Sequence, residues 1–566
     1  MRYLALACDY DGTLAQHGQV DARTREALGR LRKSGRRLLL VTGRELDDLR
    51  RVCPDLEPFD LIVAENGAVL YEPRTRESTT LAEPPPAELV AALEQRGVAP
   101  LSVGRVMIAT WEPHQNTVLD AIHQLGLERQ VIFNKGAVMV LPSGVNKASG
   151  LTKALDRLQL SPHNVVGVGD AENDLGFLAL CECGVAVANA LEAVKKTAAW
   201  TTRADHGAGV IELVDALLAD DLASLEPRLG RRIAVGRSPD GQKVEVPSYG
   251  PAILLAGTSG SGKSTFATSL IERFIEAQYQ YCVVDPEGDY TALESTVVLG
   301  DPKRVPSLTE VQSVLAKPET NLVVNLLGVK LEDRPSWFAT LWAALLEIRE
   351  RLGRPHWILL DEAHHLLPVT RSETIRADLR STVLITVHPE QLAAPVLRGV
   401  DLVLGIGREP ASIIRAVAGA HGRKSPEVKA EPLATGRALA WIPHAGGEAR
   451  ELEVIPPRTE RQRHLRKYAH GDLGPEGSFV FTGPEGRLRL RAQNLQLFLQ
   501  IADGVDEATW EHHRRRGDYS RWFREVIKDN ELAEEARQIE LGNDLSPTDA
   551  RARLREAVET RYTAPA

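Results

Sequence analysis

Two apolar runs, each followed at once by a loop of small and charged residues, constrain the fold of this chain more than any other feature. The first is LALAC before DYDGTLA, in which Asp9 and Asp11 are separated by one residue. The second is AILLAG before TSGSGKSTF, about 250 residues later. An apolar run that ends in such a loop and leads into an amphipathic helix is typical of α/β folds. The sequence therefore predicts two separate α/β domains.

Length and composition narrow the class of protein. A chain of 566 residues is too long for one core, and about three or four units are expected. The net charge of -9 argues against a wholly basic nucleic-acid coat, although a local basic face stays open. No run of about 18 apolar residues predicts a membrane span, and the N-terminus indicates a strand rather than a signal peptide. Five cysteines without CxxC spacing indicate reduced thiols, so a cytoplasmic protein is expected.

Periodic patterns divide the chain into five parts. Strand and helix patterns alternate over residues 1–75 and 147–215, whereas residues 76–146 lose this rhythm, as a small α+β insert would. Residues 216–250 are predicted to be a linker with short strands around the turn signal SPDG. Residues 251–455 form the second α/β domain, and 456–566 are predicted to be a β-hairpin with a mainly helical C-terminal module.

The acidic loop has the residues that phosphoryl transfer requires. Asp9, at the end of a strand, can present its carboxylate to phosphorus as a nucleophile. Asp11 can reach the same centre, protonate the leaving oxygen and later deprotonate water. The reaction also needs a hydroxyl, a cation and a metal site. Each of these follows a strand pattern farther along the chain, at Thr42, Lys147, Asp170 and Asp174.

The motifs DYDGT, VTGR, GVNKASG and GVGDAENDL occur in the order of the haloacid dehalogenase superfamily, and residues 1–215 resemble its Cof-type phosphatases, which carry a cap after the second motif. The resemblance implies a Rossmann-like core, a phosphoaspartate on Asp9 and a general acid/base at Asp11. It implies phosphate binding by Thr42, Gly43, Lys147 and Asn173. It also implies Mg²⁺ bound by Asp9, the backbone carbonyl of Asp11, Asp170 and Asp174.

Substrate choice in that superfamily lies in the cap. Arg105, Asn134 and Lys135 fall in this insert and could meet a phosphorylated or acidic small molecule. For each of them, a solvated position on the cap surface is the simpler interpretation. The sequence therefore predicts a phosphorylated small-molecule substrate without identifying it.

The glycine-rich loop matches G-x-x-x-x-G-K-[ST] between an apolar strand and a helix, the context that defines a P-loop. Its backbone N–H groups would surround the phosphates of ATP, Lys263 would neutralise the β/γ oxygens, and Ser264 would bind Mg²⁺. The predicted ATP-binding residues are Gly257, Thr258, Ser259, Gly260, Ser261, Gly262, Lys263, Ser264 and Thr265. In HWILLDEAHHLLP, Asp361 is predicted to hold the water molecules around the metal ion, and Glu362 can polarise the attacking water.

Together with DPEGDY at residues 285–290, these motifs resemble the HerA/FtsK class of P-loop motors over about residues 230–455, with HerA-type ATPases closest. The resemblance implies a RecA-like fold, ATP as substrate and a homo-oligomer such as a hexamer. In that class a polar sensor follows the next strand. Here VLITVHPEQL offers Thr386 and His388, and His388 either replaces the sensor or caps the following helix.

The predicted function is a bifunctional hydrolase, a Mg²⁺-dependent phosphatase fused to an ATP-hydrolysing HerA-like motor. The alternative is a DNA-translocating ring ATPase for repair or phage defence, whose first domain processes nucleotide or DNA-end phosphates. The acidic net charge mildly disfavours DNA as a partner. Basic residues beside Trp522 and Phe523 indicate either a nucleic-acid or phosphate site or, more simply, a buried aromatic helix with a charged outer face.

Overall fold

The computed structural model describes most of the chain. The described residues are 1–566 without 226–230, 292, 294, 372–377, 429–430, 446, 459–467, 470–472, 474–476, 485, 487, 528, 543 and 563–566. The chain divides into two units, one of Met1–Lys263, Leu270–Pro286 and Ser295–Ile455, and one of Ser264–Ser269, Glu287–Glu294 and Pro456–Ala566. Within the part of the chain that is described, no helix combines the length and the apolar character needed to cross a membrane.

Parallel strands form the centre of the first sheet. Before the cap come β1 (Ala5–Cys8), β2 (Arg37–Val41), β3 (Leu61–Ala64), β4 (Val69–Glu72) and β5 (Glu77–Thr80). The cap contains β6 (Ser102–Val103), β7 (Ile108–Trp111), β8 (Arg129–Asn134) and β9 (Ala137–Pro142), and β10 (Val165–Gly169), β11 (Cys183–Ala186) and β12 (Trp200–Thr201) follow it. The order is β12-β11-β10-β1-β2-β3-β4-β5, parallel from β12 to β3. The loops after β1 and β10 therefore meet at the carboxyl edge of the sheet.

Side-chain caps mark the start of two helices of this region. The helices are Ala22–Lys33, Leu46–Val52, Ala87–Gln95, Gln115–Gln124, Lys147–Leu158, Leu175–Leu180, Glu192–Thr197 and His206–Asp220. Asp21 accepts a 2.8 Å hydrogen bond from the backbone N of Thr24 and caps the first helix. Asn146 accepts a 3.0 Å bond from the backbone N of Ser149, so the helix that follows starts with Lys147.

The cap is an antiparallel sheet with its own small core. The strand order is β6-β7-β9-β8, and the sheet shares one hydrophobic cluster with the two helices of the insert. The buried carboxylate of Glu65 binds this insert to the first sheet. It accepts hydrogen bonds of 2.9–3.1 Å from the backbone N atoms of Arg105, Val106 and Met107. The cap is thus held at the edge where β3 ends.

A second, larger sheet contains the glycine-rich loop. Its strands are β13 (Arg232–Arg237), β14 (Lys243–Pro247), β15 (Ala252–Gly257), β16 (Tyr281–Asp285), β17 (Thr296–Leu299), β18 (Asn321–Asn325), β19 (Trp357–Leu360), β20 (Thr382–Thr386), β21 (Leu402–Ile406), β22 (Arg437–Trp441) and β23 (Arg450–Glu453). The order is β14-β13-β23-β22-β21-β15-β20-β19-β16-β18-β17. The hairpin β13–β14, which falls in the predicted linker, is part of this sheet because β13 pairs with β23.

Six helices accompany this sheet within the described residues. They are Lys263–Glu276, Leu308–Leu315, Arg334–Leu352, Ala363–Leu366, Ala394–Arg398 and Pro410–Ala420. The strands β15, β16, β19 and β20 are buried, and each is parallel to its neighbour among them. Their carboxyl ends therefore lie at one edge, as in the first sheet.

The second unit is mainly helical. It contains β24 (Phe479–Phe481), β25 (Leu490–Ala492), the helices Leu495–Gly504, Glu507–Arg515, Asp518–Trp522, Asn530–Leu541 and Pro547–Tyr562, and a π-helical turn at Phe523–Ile527. Trp522 and Phe523 belong to its aromatic core and are 6% and 0% exposed. The burial of both rings supports the interpretation as a buried aromatic helix.

Candidate functional site

The carboxyl edge of the first sheet brings the predicted phosphoryl-transfer residues together. Asp9 follows β1 and Asp170 follows β10, which is the neighbouring strand. The residues placed at this edge are Asp9, Asp11, Thr42, Gly43, Lys147, Asp170, Asn173 and Asp174. The parallel strands explain the meeting, because residues far apart in the sequence end on the same side of the sheet.

Lys147 links two of the carboxylates in a buried group. Its Nζ donates to Oδ1 of Asp9 and to Oδ1 of Asp174, both at 2.5 Å. Burial on its own would lower the pKa of Lys147, but the Asp174 and Asp9 carboxylates raise it above its usual value. Burial and the Asp174 carboxylate raise the pKa of Asp9. The protein groups alone therefore leave the Asp9 carboxylate poorly stabilised in its charged form.

Three carboxylates at this edge fit a divalent cation. One oxygen from each of Asp9, Asp170 and Asp174 lies within 4.8 Å of the others. Lys147 and, from the cap, Lys135 bring two positive charges to the three carboxylates, so a hard, oxygen-bound cation such as Mg²⁺ would neutralise the excess. Asp174 also accepts hydrogen bonds from the backbone N of Asp170 at 2.8 Å and of Ala171 at 2.9 Å. These bonds hold its carboxylate in place before any metal binds.

Asp11 is held by Arg44, a residue that motif reading misses. Nε and Nη2 of Arg44 donate to the two carboxylate oxygens of Asp11 at 2.6 and 2.7 Å. A bidentate pair of this kind fixes the plane of a carboxylate. The side chain of Asp11 is still 45% exposed, so solvent reaches it. The only sequence signal for Arg44 is its place in VTGR, directly after Gly43.

Replacing Arg44 by alanine should lower kcat for an aryl phosphate by roughly 10- to 100-fold with a smaller change in KM, because Asp11 loses its orientation. Arg44→Lys should restore only part of the rate, since an ammonium group cannot form the bidentate pair. Steady-state kinetics of both variants test this. Arg51→Ala is the matched control, because that side chain lies nearby and is 78% exposed. Equal kcat in wild type and Arg44→Ala would exclude the positioning role.

The cap places one of its three candidate substrate residues at the catalytic edge. Nζ of Lys135, in the turn between β8 and β9, donates to Oδ2 of Asp170 at 2.6 Å. Arg105 instead donates to the hydroxyl of Ser78. Asn134 is the last residue of β8 and is partly buried. Of the three candidates, Lys135 is therefore the one whose side chain reaches a carboxylate of the buried aspartate group, that of Asp170.

The glycine-rich loop of the second sheet has the backbone that a P-loop needs. Gly260 and Gly262 have φ angles of +73° and +96°, conformations that favour glycine. Nζ of Lys263 donates to the carbonyl oxygens of Gly257 at 2.9 Å and Thr258 at 3.2 Å, so the ammonium lies over the loop. Ser259 and Ser261 lie within the loop, and Ser264 and Thr265 lie in the first turn of the helix Lys263–Glu276.

The acidic pair Asp361 and Glu362 follows β19 at the same edge of the second sheet. Only β20 separates β19 from β15, the strand that leads into the loop. Burial lowers the pKa of Lys263, and the Glu362 and Asp361 carboxylates oppose this shift. Glu362 has φ +40° and ψ 50°, a left-handed conformation that is uncommon for non-glycine residues.

Thr386 and His364 connect the neighbouring strand to Glu362. Oγ1 of Thr386 lies 3.0 Å from Nδ1 of His364, which lies 3.4 Å from Oε2 of Glu362. Burial first, then His365 and His388, lower the pKa of His364 to about 4, so its ring is neutral at pH 7. His388 donates its backbone N to Thr386, but its side chain makes no capping bond to the next helix. Both sensor candidates contact His364: Thr386 through its hydroxyl, and His388 through its ring, which packs edge-on against that of His364 with centroids 5.3 Å apart.

Two family models match the chain. The model of haloacid dehalogenase-like hydrolases matches residues 6–104 and 103–214, which include the whole carboxylate group. The model described as the central domain of the helicase HerA matches residues 249–352, which include the P-loop but end before Asp361. The first domain is thus a haloacid dehalogenase-like hydrolase, and a HerA-type central domain follows it.

Individual relatives match the first domain over nearly their full length. A phosphoglycolate phosphatase of Methanothermobacter thermautotrophicus is 30% identical over 37% of this chain and 96% of its own. Phosphoglycolate phosphatase 2 of Saccharolobus solfataricus is 25% identical over 38% of this chain and 93% of its own. A solved haloacid dehalogenase-like hydrolase from Bacteroides thetaiotaomicron is 20% identical over 38% of this chain and 99% of its own, with a TM-score of 0.34. Through residues 6–214, the chain belongs to the haloacid dehalogenase-like hydrolase family.

Proposed function

We propose that the first domain is a Mg²⁺-dependent phosphatase that acts through a phosphoaspartate on Asp9. The observation that carries this proposal is the buried group of Asp9, Asp170 and Asp174 around Lys147 at the carboxyl edge of the sheet. A cluster of exposed acidic side chains would not support this proposal. Here the carboxylates are buried, cross-linked by one lysine and placed where parallel strands end, as an enzyme of this family requires.

In the proposed reaction, a carboxylate oxygen of Asp9 attacks phosphorus, and the bond between phosphorus and the leaving oxygen breaks. Protonated Asp11 gives its proton to that oxygen. Water then attacks phosphorus while Asp11 takes its proton, and the bond between phosphorus and Asp9 breaks, which releases phosphate and restores the Asp9 carboxylate. Lys147 and the hydroxyl of Thr42 bind the phosphoryl oxygens as their charge changes. Mg²⁺ bound to the carboxylate group would neutralise charge on the phosphoryl group and align it with Asp9.

The proposed substrate is a small phosphorylated acid, and phosphoglycolate, which the relatives' names specify, is the first to test. Lys135 supports this choice because it brings a cation from the cap to the catalytic edge. A metal on Asp170 would compete with Lys135 for the same carboxylate. The ammonium would then be available to a carboxylate on the substrate.

We further propose that the second domain binds and hydrolyses ATP. Loop N–H groups and Lys263 would hold the phosphates, Ser264 and Asp361 would hold Mg²⁺ with its water, and Glu362 would orient the attacking water. The HerA-type match over residues 249–352 supports this assignment. The position of Asp361 and Glu362 on the strand edge next to the loop supports it independently.

The HerA-type match also favours a second candidate, a ring motor on DNA whose first domain processes nucleotide or DNA-end phosphates. Assays on one purified sample distinguish the phosphatase fused to an ATPase from the ring motor on DNA. We expect Mg²⁺-dependent phosphate release from phosphoglycolate or an aryl phosphate, ATP hydrolysis that duplex DNA leaves unchanged, and a homo-oligomer such as a hexamer by light scattering with ATP. Strong stimulation of ATP hydrolysis by duplex DNA would favour the motor. A monomer in the presence of ATP and Mg²⁺ would contradict both ring models.

A further inference from the structure

The residues that precede the catalytic strands of the two sheets meet in one buried group. We call it the amino-edge interface: Arg2, His163, Asn164 and Glu182 from the first domain, and Ser248, Tyr279, Gly353 and His356 from the second. All eight are buried, each less than a tenth exposed. None belongs to either candidate site, so the two proposed reactions do not explain the group.

Glu182 is the centre of this interface. Its carboxylate accepts hydrogen bonds from Nη2 of Arg2 at 2.7 Å and from the hydroxyl of Ser248 at 2.9 Å. The hydroxyl of Tyr279 lies 3.0 Å from both carboxylate oxygens, and Nδ1 of His163 lies 2.6 Å from Oε2. The side chain of Glu182 is 1% exposed. One buried charge of the first domain is thus solvated by groups from both domains.

His163 extends the contact into the second domain. Its Nε2 lies 2.8 Å from the carbonyl oxygen of Ala277, so both ring nitrogens face acceptors, which suits a doubly protonated ring. The ring stacks on Tyr279 with centroids 3.9 Å apart, and His356 packs edge-on against both rings. An imidazolium between a carboxylate, a carbonyl and an aromatic face has its hydrogen bonds and its charge satisfied.

Asn164 joins the backbones of the two domains. Its Nδ2 donates to the carbonyl oxygens of Arg2 at 2.9 Å and Gly353 at 3.1 Å. A Cβ at Gly353 would lie 2.3 Å from that nitrogen, and its φ of +66° also favours glycine. Nη1 of the buried Arg354 donates to the carbonyl oxygen of Gln159 at 2.9 Å. The fit at this surface is therefore close at the level of the main chain.

The electrostatics show what separating the domains would cost. Burial on its own would raise the pKa of Glu182, but the hydrogen bond from His163 and the charges of His163 and Arg2 lower it to about 2. Without its partners from the second domain, Glu182 would lose two hydroxyl donors while Arg2 and His163 stayed beside it. Removal of one member of a buried charged group is strongly destabilising, because it leaves the others unsatisfied.

The direction of the strands shows where this interface lies relative to the two candidate sites. In the first domain, β1, β10 and β11 begin shortly after Arg2, Asn164 and Glu182. In the second domain, β16 and β19 begin shortly after Tyr279 and His356. Each strand runs from the interface to a candidate site over four or five residues, which is about 15 Å. We infer that the amino-edge interface joins the two hydrolase domains back to back into one folding unit, with their catalytic edges facing away from each other. A phosphorylated intermediate could then pass between the sites only through solvent.

Calorimetry and hydrogen exchange on the full chain test this inference, whether or not either activity is found. The first two domains should melt in one shared transition. Glu182→Ala should lower its midpoint by roughly 5 °C or more or split it in two. Glu182→Gln, which keeps the size but removes the charge, should have a smaller effect in the same direction. Below the transition, both variants should hydrolyse aryl phosphate at the wild-type rate, because Glu182 lies at the opposite end of the strands from Asp9.

Glu192→Gln is the matched control, because this glutamate of the same domain has a side chain that is 78% exposed. It should leave the transition where it is. If Glu182→Ala proves insoluble, exchange in the wild type still decides, because amides in β10 and β19 should open with one common free energy. Separate opening energies for these two strands, or a wild-type midpoint in Glu182→Ala, would overturn the inference.

Discussion

Replacing Asp9 with asparagine should lower aryl phosphate hydrolysis by roughly 10⁴-fold or more, because loss of a nucleophile removes the covalent route altogether. The amide keeps the shape of the side chain and can still accept from Nζ of Lys147, which now lies 2.5 Å from Oδ1. Folding should therefore survive. Phosphate release under Mg²⁺ saturation, with EDTA as a blank, measures the effect. ATP hydrolysis by the same sample should stay at the wild-type rate.

Asp47→Asn is the control for this experiment. Asp47 makes the same chemical change possible in the same domain, but its side chain is 76% exposed and pairs only with Arg50 in the described contacts. It should leave both activities unchanged. Wild-type phosphatase activity in Asp9→Asn would remove the basis for the phosphoaspartate. Loss of ATP hydrolysis in that variant would instead indicate that the measured ATPase belongs to the first domain.

Local motifs predict the phosphoryl-transfer site well. Asp9, Thr42 and Asp170 each follow an apolar run, and the structure places each of them directly after a strand. The five cysteines are free, as their spacing predicts, and the structure adds that all five are buried. Such features follow from a few neighbouring residues, because an apolar run sets the strand and the parallel sheet sets the edge. The roles of these residues in catalysis remain predictions.

Long-range pairing cannot be read in the same way. The hairpin β13–β14 has a clear strand pattern around its turn, but nothing local indicates that Arg237 pairs with Glu453. Glu182 looks like an ordinary charged residue between two cysteines, and its partner Tyr279 lies 97 residues away. Periodicity predicts that a residue is buried or a strand exists, but not which other segment covers it. The sequence alone therefore does not predict the amino-edge interface.

Side-chain orientation explains the remaining misses within the sites. Arg44 and His364 lie inside motifs that the sequence displays, yet their importance comes from Asp11 and Glu362, the groups that they approach. The two sensor candidates likewise show that the local sequence does not specify which groups a side chain contacts. Thr386 and His388 are two residues apart, and only the turn after β20 decides that the hydroxyl of Thr386 meets Nδ1 of His364 while the ring of His388 packs edge-on against His364 and meets Glu390.

Lys263→Ala and Glu362→Gln should stop ATP hydrolysis in two different ways. Lys263→Ala removes the cation over the β/γ-phosphates, so it should weaken ATP binding by about 10²-fold or more. Glu362→Gln keeps the nucleotide pocket and removes the carboxylate that orients water, so ATP should bind with nearly wild-type affinity and remain uncleaved. Isothermal titration with ATP and Mg²⁺, paired with phosphate release, measures both effects. Glu350→Gln is the control, because Glu350 is an exposed glutamate on the helix Arg334–Leu352.

Wild-type ATP hydrolysis in Glu362→Gln would show that Glu362 is not the base. The same two variants also report on coupling between the domains. Both substitutions lie at the carboxyl edge of the second sheet, a strand length from the amino-edge interface. If the catalytic edges work independently, aryl phosphate hydrolysis should be unchanged in both. A parallel loss of phosphatase activity in Lys263→Ala and Glu362→Gln, with the melting transition intact, would mean that the nucleotide state is transmitted along β16 and β19 to the strands that carry Asp9 and Asp170. The second domain would then regulate the first, and the fused domains would form one controlled enzyme rather than two independent ones.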